Sequence, residues 1–204
     1  MKLTTVYQNK MRGLRMASAP ECICKVMKEK QLWEIVEVGV NSCSFCDQLL
    51  ELLRLARHDL VGYYLVDPWP HGYTCGSCGP GVTPDHWDRL YTAACRRTTK
   101  HLPLKVMRLS SLEAAKCFDD GSVCCVYIDA DHTYDSVMAD CAAWLPKIRA
   151  GGVICGHDYS GGWKEVVRGV DKFFTKRSGL DVQHFFEVGD GHYRMESGVW
   201  VVEL

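Results

Sequence analysis

The chain has 204 residues, with 24 Lys+Arg against 25 Asp+Glu, a formal net charge of -1 and 47% hydrophobic residues. At ~100–200 residues per domain, that length gives room for one domain with a full core and excludes two independent enzymes. The near-neutral balance supplies no electrostatic footprint for extended nucleic-acid binding or for a charged membrane surface.

Residues 1–30, with Ser18 and Pro20 ahead of a Lys-rich stretch ending at Lys30, read as an N-terminal helical extension, and residues 31–204 as a single domain. The opening MKLTTVYQNKMRGLRM lacks the unbroken apolar core of a secretory signal. Nowhere do ~18 apolar residues run without a charge, so no membrane span and a cytoplasmic location are expected. In that reducing compartment the 12 cysteines remain thiols. Cys124, Cys125, Cys141 and Cys155 fall inside apolar segments, where cysteine behaves as a small hydrophobe.

From there short apolar runs alternate with segments of helical period, and no repeat is present. The runs Trp33 to Val40, Val61 to Val66, Leu104 to Leu109, Val123 to Ile128 and Val153 to Cys155 are short enough for strands buried on both faces. Phe45, Leu49, Leu52, Leu53 and Ala56 form one helical stripe. Trp87, Leu90, Tyr91 and Ala94 form the next, behind a Thr83 N-cap and Pro84 at the first helical position. Val137, Met138, Cys141, Trp144, Leu145 and Ile148 repeat at helical spacing until Gly151-Gly152 stops the pattern. Trp163, Val166, Val167, Val170, Phe173 and Phe174 follow, and Val182 to Val188 and Gly198 to Val202 read as a closing hairpin across a Gly-Asp-Gly turn. This order predicts an α/β three-layer sandwich, a Rossmann-like and mostly parallel sheet with an antiparallel C-terminal hairpin.

In an open parallel sheet the ligand lies beyond the carboxyl ends of the strands. Those ends are polar here: Glu37-Val38-Gly39-Val40-Asn41 with Cys43 just beyond, Asp67-Pro68-Trp69, Ser110-Ser111, Asp129-Ala130-Asp131-His132 and His157-Asp158-Tyr159. The first lacks the G-x-G-x-x-G of a dinucleotide site, which disfavours a pyrophosphate cofactor and the nicotinamide oxidoreductase class. A single turn glycine beside an acid suits a cofactor with a cationic amino-acid tail. Asp67 is placed to accept both hydroxyls of a ribose. The alternative is that Glu37 satisfies loop amides and Asp67 merely opens the Pro68 turn.

The segments IVEVGV, YYLVDPW and VYIDADHTYDSVMADCAAWLPKIRAGGVICGHDY resemble the class I S-adenosylmethionine-dependent methyltransferases. Within that class they are similar to the methyltransferase domain 24 family, related to the macrocin-type O-methyltransferases. The resemblance covers roughly residues 33 to 176 and implies a seven-stranded sheet. S-adenosylmethionine would lie across the first four strand ends, with the Glu37 to Asn41 loop at its methionine tail, Asp67 and Pro68 at the ribose, Ser110 and Ser111 by the adenine, and Asp129 alongside. Cys43 stands at a usual glycine and Phe45 at a usual small polar residue. Metal-dependent relatives resembling catechol O-methyltransferase imply a divalent cation on Asp129 and Asp158: Mg²⁺ suits the oxygen ligands, while a third ligand from His157 or His132 would favour Mn²⁺, Fe²⁺ or Zn²⁺. The acceptor implied is a small molecule, methylated on oxygen. A base-methylating enzyme would carry an Asn/Asp-Pro-Pro-aromatic motif where this chain has Asp129-Ala130-Asp131-His132. An inactive cofactor-binding module is the non-enzymatic alternative.

His132 is the candidate general base, beside Asp131 at the start of a helix, with an ordinary pKa of ~6.5. The plain alternative is that His132 and Thr133 cap that helix. Cys43/Cys46 and Cys75/Cys78 together have the spacing of a four-thiolate zinc site. The first pair lies in the cofactor loop, where a zinc knuckle would destroy the strand-to-helix turn. Cys75 and Cys78 belong to a Gly/Pro-rich loop that suits a flap over substrate.

Overall fold

The computed structural model describes residues 18–70, 84–99, 103–175, 179–186 and 198–204. The candidate flap with Cys75 and Cys78, the Thr83 cap, the Gly-Asp-Gly turn and residues 1–17 lie outside these. In chain order the elements are α1 (Ala19–Lys30), β1 (Glu34–Val38), α2 (Ser44–Leu55), β2 (Gly62–Val66), α3 (Pro84–Thr98), β3 (Leu104–Met107), α4 (Ser111–Ala115), β4 (Val123–Ile128), α5 (Tyr134–Trp144), β5 (Ile148–Gly156), α6 (Lys164–Phe173), β6 (Gln183–Phe186) and β7 (Gly198–Glu203).

The seven strands form one sheet in the order β3-β2-β1-β4-β5-β7-β6. β1 to β5 run parallel, and β7 runs antiparallel to both β5 and β6. Successive side chains of a strand face opposite ways, so each strand feeds two cores. Ile35, Tyr63, Leu65, Cys125, Tyr127 and Cys155 join α1, α2 and α3 on one face. Val36, Val38, Val66, Val126, Ile128 and Ile154 join α4, α5 and α6 on the other. This is the predicted three-layer sandwich, its hairpin included. The predicted thiols at Cys124, Cys125, Cys141 and Cys155 are buried and free. Among the described residues no helix is long and apolar enough to cross a membrane.

One expected boundary moves. The helix read up to Ile148 ends at Trp144 and tightens into a 3₁₀ turn over Leu145–Lys147. Pro146 has no N–H to continue the ladder, which stops the helix early. Gly151-Gly152 then lie inside β5, where the ladder with β4 shifts register between Val123 and Cys125. A Cβ on Gly152 would stand 2.7 Å from the Cys124 carbonyl oxygen, so the irregularity needs glycine there.

Within the first core Glu37 is 1% exposed and accepts a hydrogen bond from the Tyr63 hydroxyl at 2.5 Å. Burial pushes its carboxyl up to about 8. The folded state therefore holds a proton that the unfolded chain releases above its ordinary carboxylate range. That contribution to stability is complete below about pH 4.3 and is lost as pH rises through 8. Glu37→Gln keeps the neutral form permanently. It is expected to be more stable than the parent at pH 9, by on the order of 1–3 kcal/mol, with the difference shrinking towards pH 4. Urea unfolding at the two pH values checks this, and an unchanged pH slope would remove Glu37 as its source.

Candidate functional site

The carboxyl ends of β1 and β4 meet at the point where the strand order reverses, the place where open parallel sheets bind ligands. Gly39 leaves β1 at φ +91, and a Cβ there would stand 2.0 Å from the Asp129 carbonyl oxygen. Only glycine allows that approach. Beyond it Asn41 (φ 49) and Cys43 (φ 65) are also left-handed, and Cys43 opens α2 with its side chain fully buried. Phe45 stacks on Tyr127 with ring centroids 3.9 Å apart, so both departures from the family pattern fill core space.

Asp67 closes this turn onto β2. Its Oδ2 accepts the Asn41 N–H at 2.9 Å and its Oδ1 the Trp69 N–H at 2.7 Å. Burial raises its pKa against these backbone hydrogen bonds. Trp69 in turn donates its indole N–H to the Asn41 carbonyl at 2.9 Å. Arg108 fastens the segment from β3, donating to the carbonyl of Trp69 at 2.6 Å and to Asp88 of α3 at 2.5 Å while lying over the Tyr91 ring. Trp69 and Arg108 were not singled out from sequence. An arginine near the carboxyl end of the Leu104 to Leu109 run was the available signal.

Other predicted positions have different surroundings. Glu37 lies beneath the turn, turned into the core against Tyr63. Val40 is buried and Pro68 exposed. Ser110 caps α4 in a reciprocal box with Glu113, and Ser111 accepts from the Trp144 indole at 3.0 Å. Both serine hydroxyls are thus engaged within the protein.

At the ends of β4 and β5 the predicted acids and histidines come together. His132 donates from Nε2 to Asp158 at 2.8 Å and to Asp129 at 3.3 Å. His157 Nδ1 is 3.3 Å from Asp158 and 3.9 Å from Asp129. Hydrogen bonding to Asp129 and then Asp158 lifts the His132 pKa to about 9. Burial works to raise the Asp158 carboxyl, but hydrogen bonds from His132 and His157 hold it well below the usual range. Asp158 sits at φ 57, a left-handed position for a residue with a side chain. Thr133 caps α5 through its hydroxyl, which leaves His132 facing the acids rather than serving as the cap. Ligand atoms of Asp129, His132 and Asp158 lie within 4.8 Å of one another. Two carboxylates and an imidazole at that spacing could hold a first-row divalent cation. On the opposite edge of the sheet a cavity of about 420 Å³, lined by Lys28, Trp33, Arg57 and His58 among others, contains no such cluster.

Comparison with known proteins agrees with this geometry. Residues 36–159 match the family model Methyltransf_24, described as Methyltransferase domain. The chain belongs to this methyltransferase domain family, and the resemblance to class I S-adenosylmethionine-dependent methyltransferases is borne out. The fold is similar to that of an O-methyltransferase from Bacillus cereus in complex with SAH, at 14% identity and a TM-score of 0.60, covering 99% of this chain and 88% of that one. It is similar to the O-methyltransferase TomG from Streptomyces achromogenes, involved in Tomaymycin synthesis and in complex with SAM, at 14% identity and a TM-score of 0.64, covering 98% and 86%. It is also similar to spermidine synthase from Thermotoga maritima, at 14% identity and a TM-score of 0.54, covering 84% of this chain and 54% of that one. No curated protein matches the chain.

The residues around the turn fit the cofactor of this class. The Asp67 carboxylate takes backbone N–H groups of Asn41, Trp69 and Val40, and of its roughly four lone-pair sites that leaves room for a hydroxyl donor. The neighbouring carboxylates Asp67, Asp129 and Asp158 suit a cationic ligand and oppose a pyrophosphate.

Gly39→Ala is expected to destabilise the protein by more than about 3 kcal/mol, because the clash with the Asp129 carbonyl adds to the left-handed backbone penalty. Gly121→Ala is the comparison: φ is +69 there, but nothing lies within 4 Å of the added carbon, so about 1–2 kcal/mol is expected. Denaturant unfolding of the two variants checks this, and equal losses would show that the contact of β1 with β4 carries no weight.

Proposed function

We propose that the protein transfers the methyl group of S-adenosylmethionine to an oxygen of a small-molecule acceptor at the carboxyl edge of β1, β2, β4 and β5. The observation that carries this reading is the convergence of Asp129, His132 and Asp158 beside the turn that Asp67 closes. The cofactor supplies a methyl group already activated on a sulfonium sulfur, which leaves the chain to align the partners and exclude water. Val40, Asn41 and Pro68 border the cofactor, and Asp67 accepts the ribose hydroxyls. Glu37 supports the turn from below, and Ser110 and Ser111 bring the start of α4 towards the adenine. His132 accepts the proton of the acceptor hydroxyl once it has lost its own, so turnover is expected to rise towards pH 9, with Asp129 and Asp158 fixing its ring. Oxygen is favoured over the nitrogen of a base because Asp129-Ala130-Asp131-His132 stands where base methylation needs Asn/Asp-Pro-Pro-aromatic.

A second reading is favoured by the 4.8 Å spacing of the three ligand atoms. In it Asp129, Asp158 and His132 hold a divalent cation, with His157 next to them. Such a cation would make the acceptor hydroxyl more acidic.

Calorimetry with S-adenosylhomocysteine is expected to give one site per chain, while NAD is expected not to bind; the reverse result would contradict the assignment. Asp67→Ala should weaken S-adenosylhomocysteine binding by roughly 1.5–3 kcal/mol, the range for a hydrogen bond to a charged group. His132→Ala should retain that affinity and lose about 100-fold or more in turnover. A chelator separates the two readings: inhibition reversed by added Mg²⁺ or Mn²⁺ selects the cation, and insensitivity selects His132 acting with the acids alone.

A further inference from the structure

The cavity of about 420 Å³ at the amino edge of the sheet lies where α1 and α2 end, and its size is that of a small-molecule site. Both helices finish in the same way. Gln31 N–H donates to the Lys28 carbonyl and Leu32 N–H to that of Met27, while Arg57 N–H donates to Arg54 and His58 N–H to Leu53. This double closure takes up carbonyls of each last turn and puts one residue in the left-handed region, where glycine is the usual occupant. Here the two positions hold Gln31 at φ 56 and Arg57 at φ 53, both in the cavity wall. His58 Nε2 lies 2.6 Å from the Leu32 carbonyl oxygen, so it donates there and fastens the two ends together.

Gln31 has a local reason for its place, since its amide nitrogen donates to the Lys28 carbonyl at 3.1 Å. The Arg57 guanidinium and the Lys28 ammonium make no hydrogen bond or ion pair with a described residue. A cation kept at a strained backbone position without such a partner is an outlier that capping does not explain. Trp33 forms another part of the wall just before β1. The Arg149 guanidinium lies 4.0 Å from its ring centre, yet Trp33 remains 42% exposed. Arg149 thus flattens a ring in place and adds positive charge, set against Glu34 of β1. Asp59 is the acid among the described residues of the wall.

We propose that this cavity is a second ligand site and that it takes a free nucleoside monophosphate. A base stacked on Trp33 gains an aromatic contact, Lys28 and Arg57 match a doubly charged phosphate, and Asp59 accepts from ribose hydroxyls. The near-neutral chain offers no track for a longer polyanion. The site is separate from the methyl-transfer reading and does not rest on it.

The test is calorimetric titration of the full chain with AMP, adenosine and inorganic phosphate, with and without saturating S-adenosylhomocysteine, which carries no phosphate. AMP is expected to bind in both conditions, about 10-fold or more tightly than either fragment. Arg57→Gly keeps the left-handed turn and removes the cation, so it should weaken AMP about 10-fold or more with a Tm equal to the parent's or higher. Trp33→Ala should weaken AMP roughly 5-fold or more, and S-adenosylhomocysteine affinity should be the same in all three proteins. No AMP binding beside S-adenosylhomocysteine, AMP bound no more tightly than its fragments, or undiminished binding by Arg57→Gly would overturn the second site. A lower Tm in Arg57→Gly would do the same, by showing that Arg57 serves the helix end. Failure of S-adenosylhomocysteine to bind would overturn the methyl-transfer reading alone, and the AMP titrations of the two variants would still decide the cavity.

Discussion

Gly39 leaves β1 with a positive φ because the carbonyl of Asp129 occupies the place where a side chain would begin. Two backbone hydrogen bonds lock the same region from each side, Gly39 N–H to the Val66 carbonyl and Asp129 N–H to the Val38 carbonyl. The ends of β1, β2 and β4 are thereby drawn to within backbone contact of one another. Asp67 then ties the following turn down through Asn41 and Trp69, and Arg108 anchors that segment to α3. Loosening the first contact would separate the turn proposed to face the cofactor from the strand end that carries Asp129.

A second constraint governs the ends of β4 and β5. The acids of β4 and β5 stand close enough to repel, and His132 and His157 lie between and beside them. The same charge balance gives His132 two acceptors and gives Asp158 two donors, which explains why their pKa values move in opposite directions. It also makes the cluster suitable either for proton handling or for a cation, since a metal ion would take over the balancing positive charge. The left-handed backbone at Asp158 is the conformational cost of bringing that carboxylate into the group.

Much of this could be read from the residues. Buried parallel strands give unbroken apolar runs, so β2 and β4 were legible almost residue by residue, and the polar residues after each run marked the carboxyl edge of the sheet. What escaped were features set by contacts distant in sequence. Pro146 ended a helix whose apolar spacing continued past it, and Gly151-Gly152 served a strand irregularity rather than a helix stop. The partners of Glu37 and Ser111, Tyr63 and Trp144, come from other elements and were not legible in the sequence. Trp163 matched a helical stripe by spacing, but its position at the first turn of α6 sets it against His132 instead of the core.

The central claim is that one cleft, bounded by the Gly39–Asn41 turn, Asp67 and Asp129, holds the cofactor beside the acid and histidine cluster. The most direct measurement is a crystal structure of the chain with S-adenosylhomocysteine. The account predicts ribose hydroxyls on the Asp67 carboxylate and the homocysteine sulfur directed towards Asp129 and His132. Ligand density at the opposite edge of the sheet, or a ribose that leaves Asp67 untouched, would contradict it.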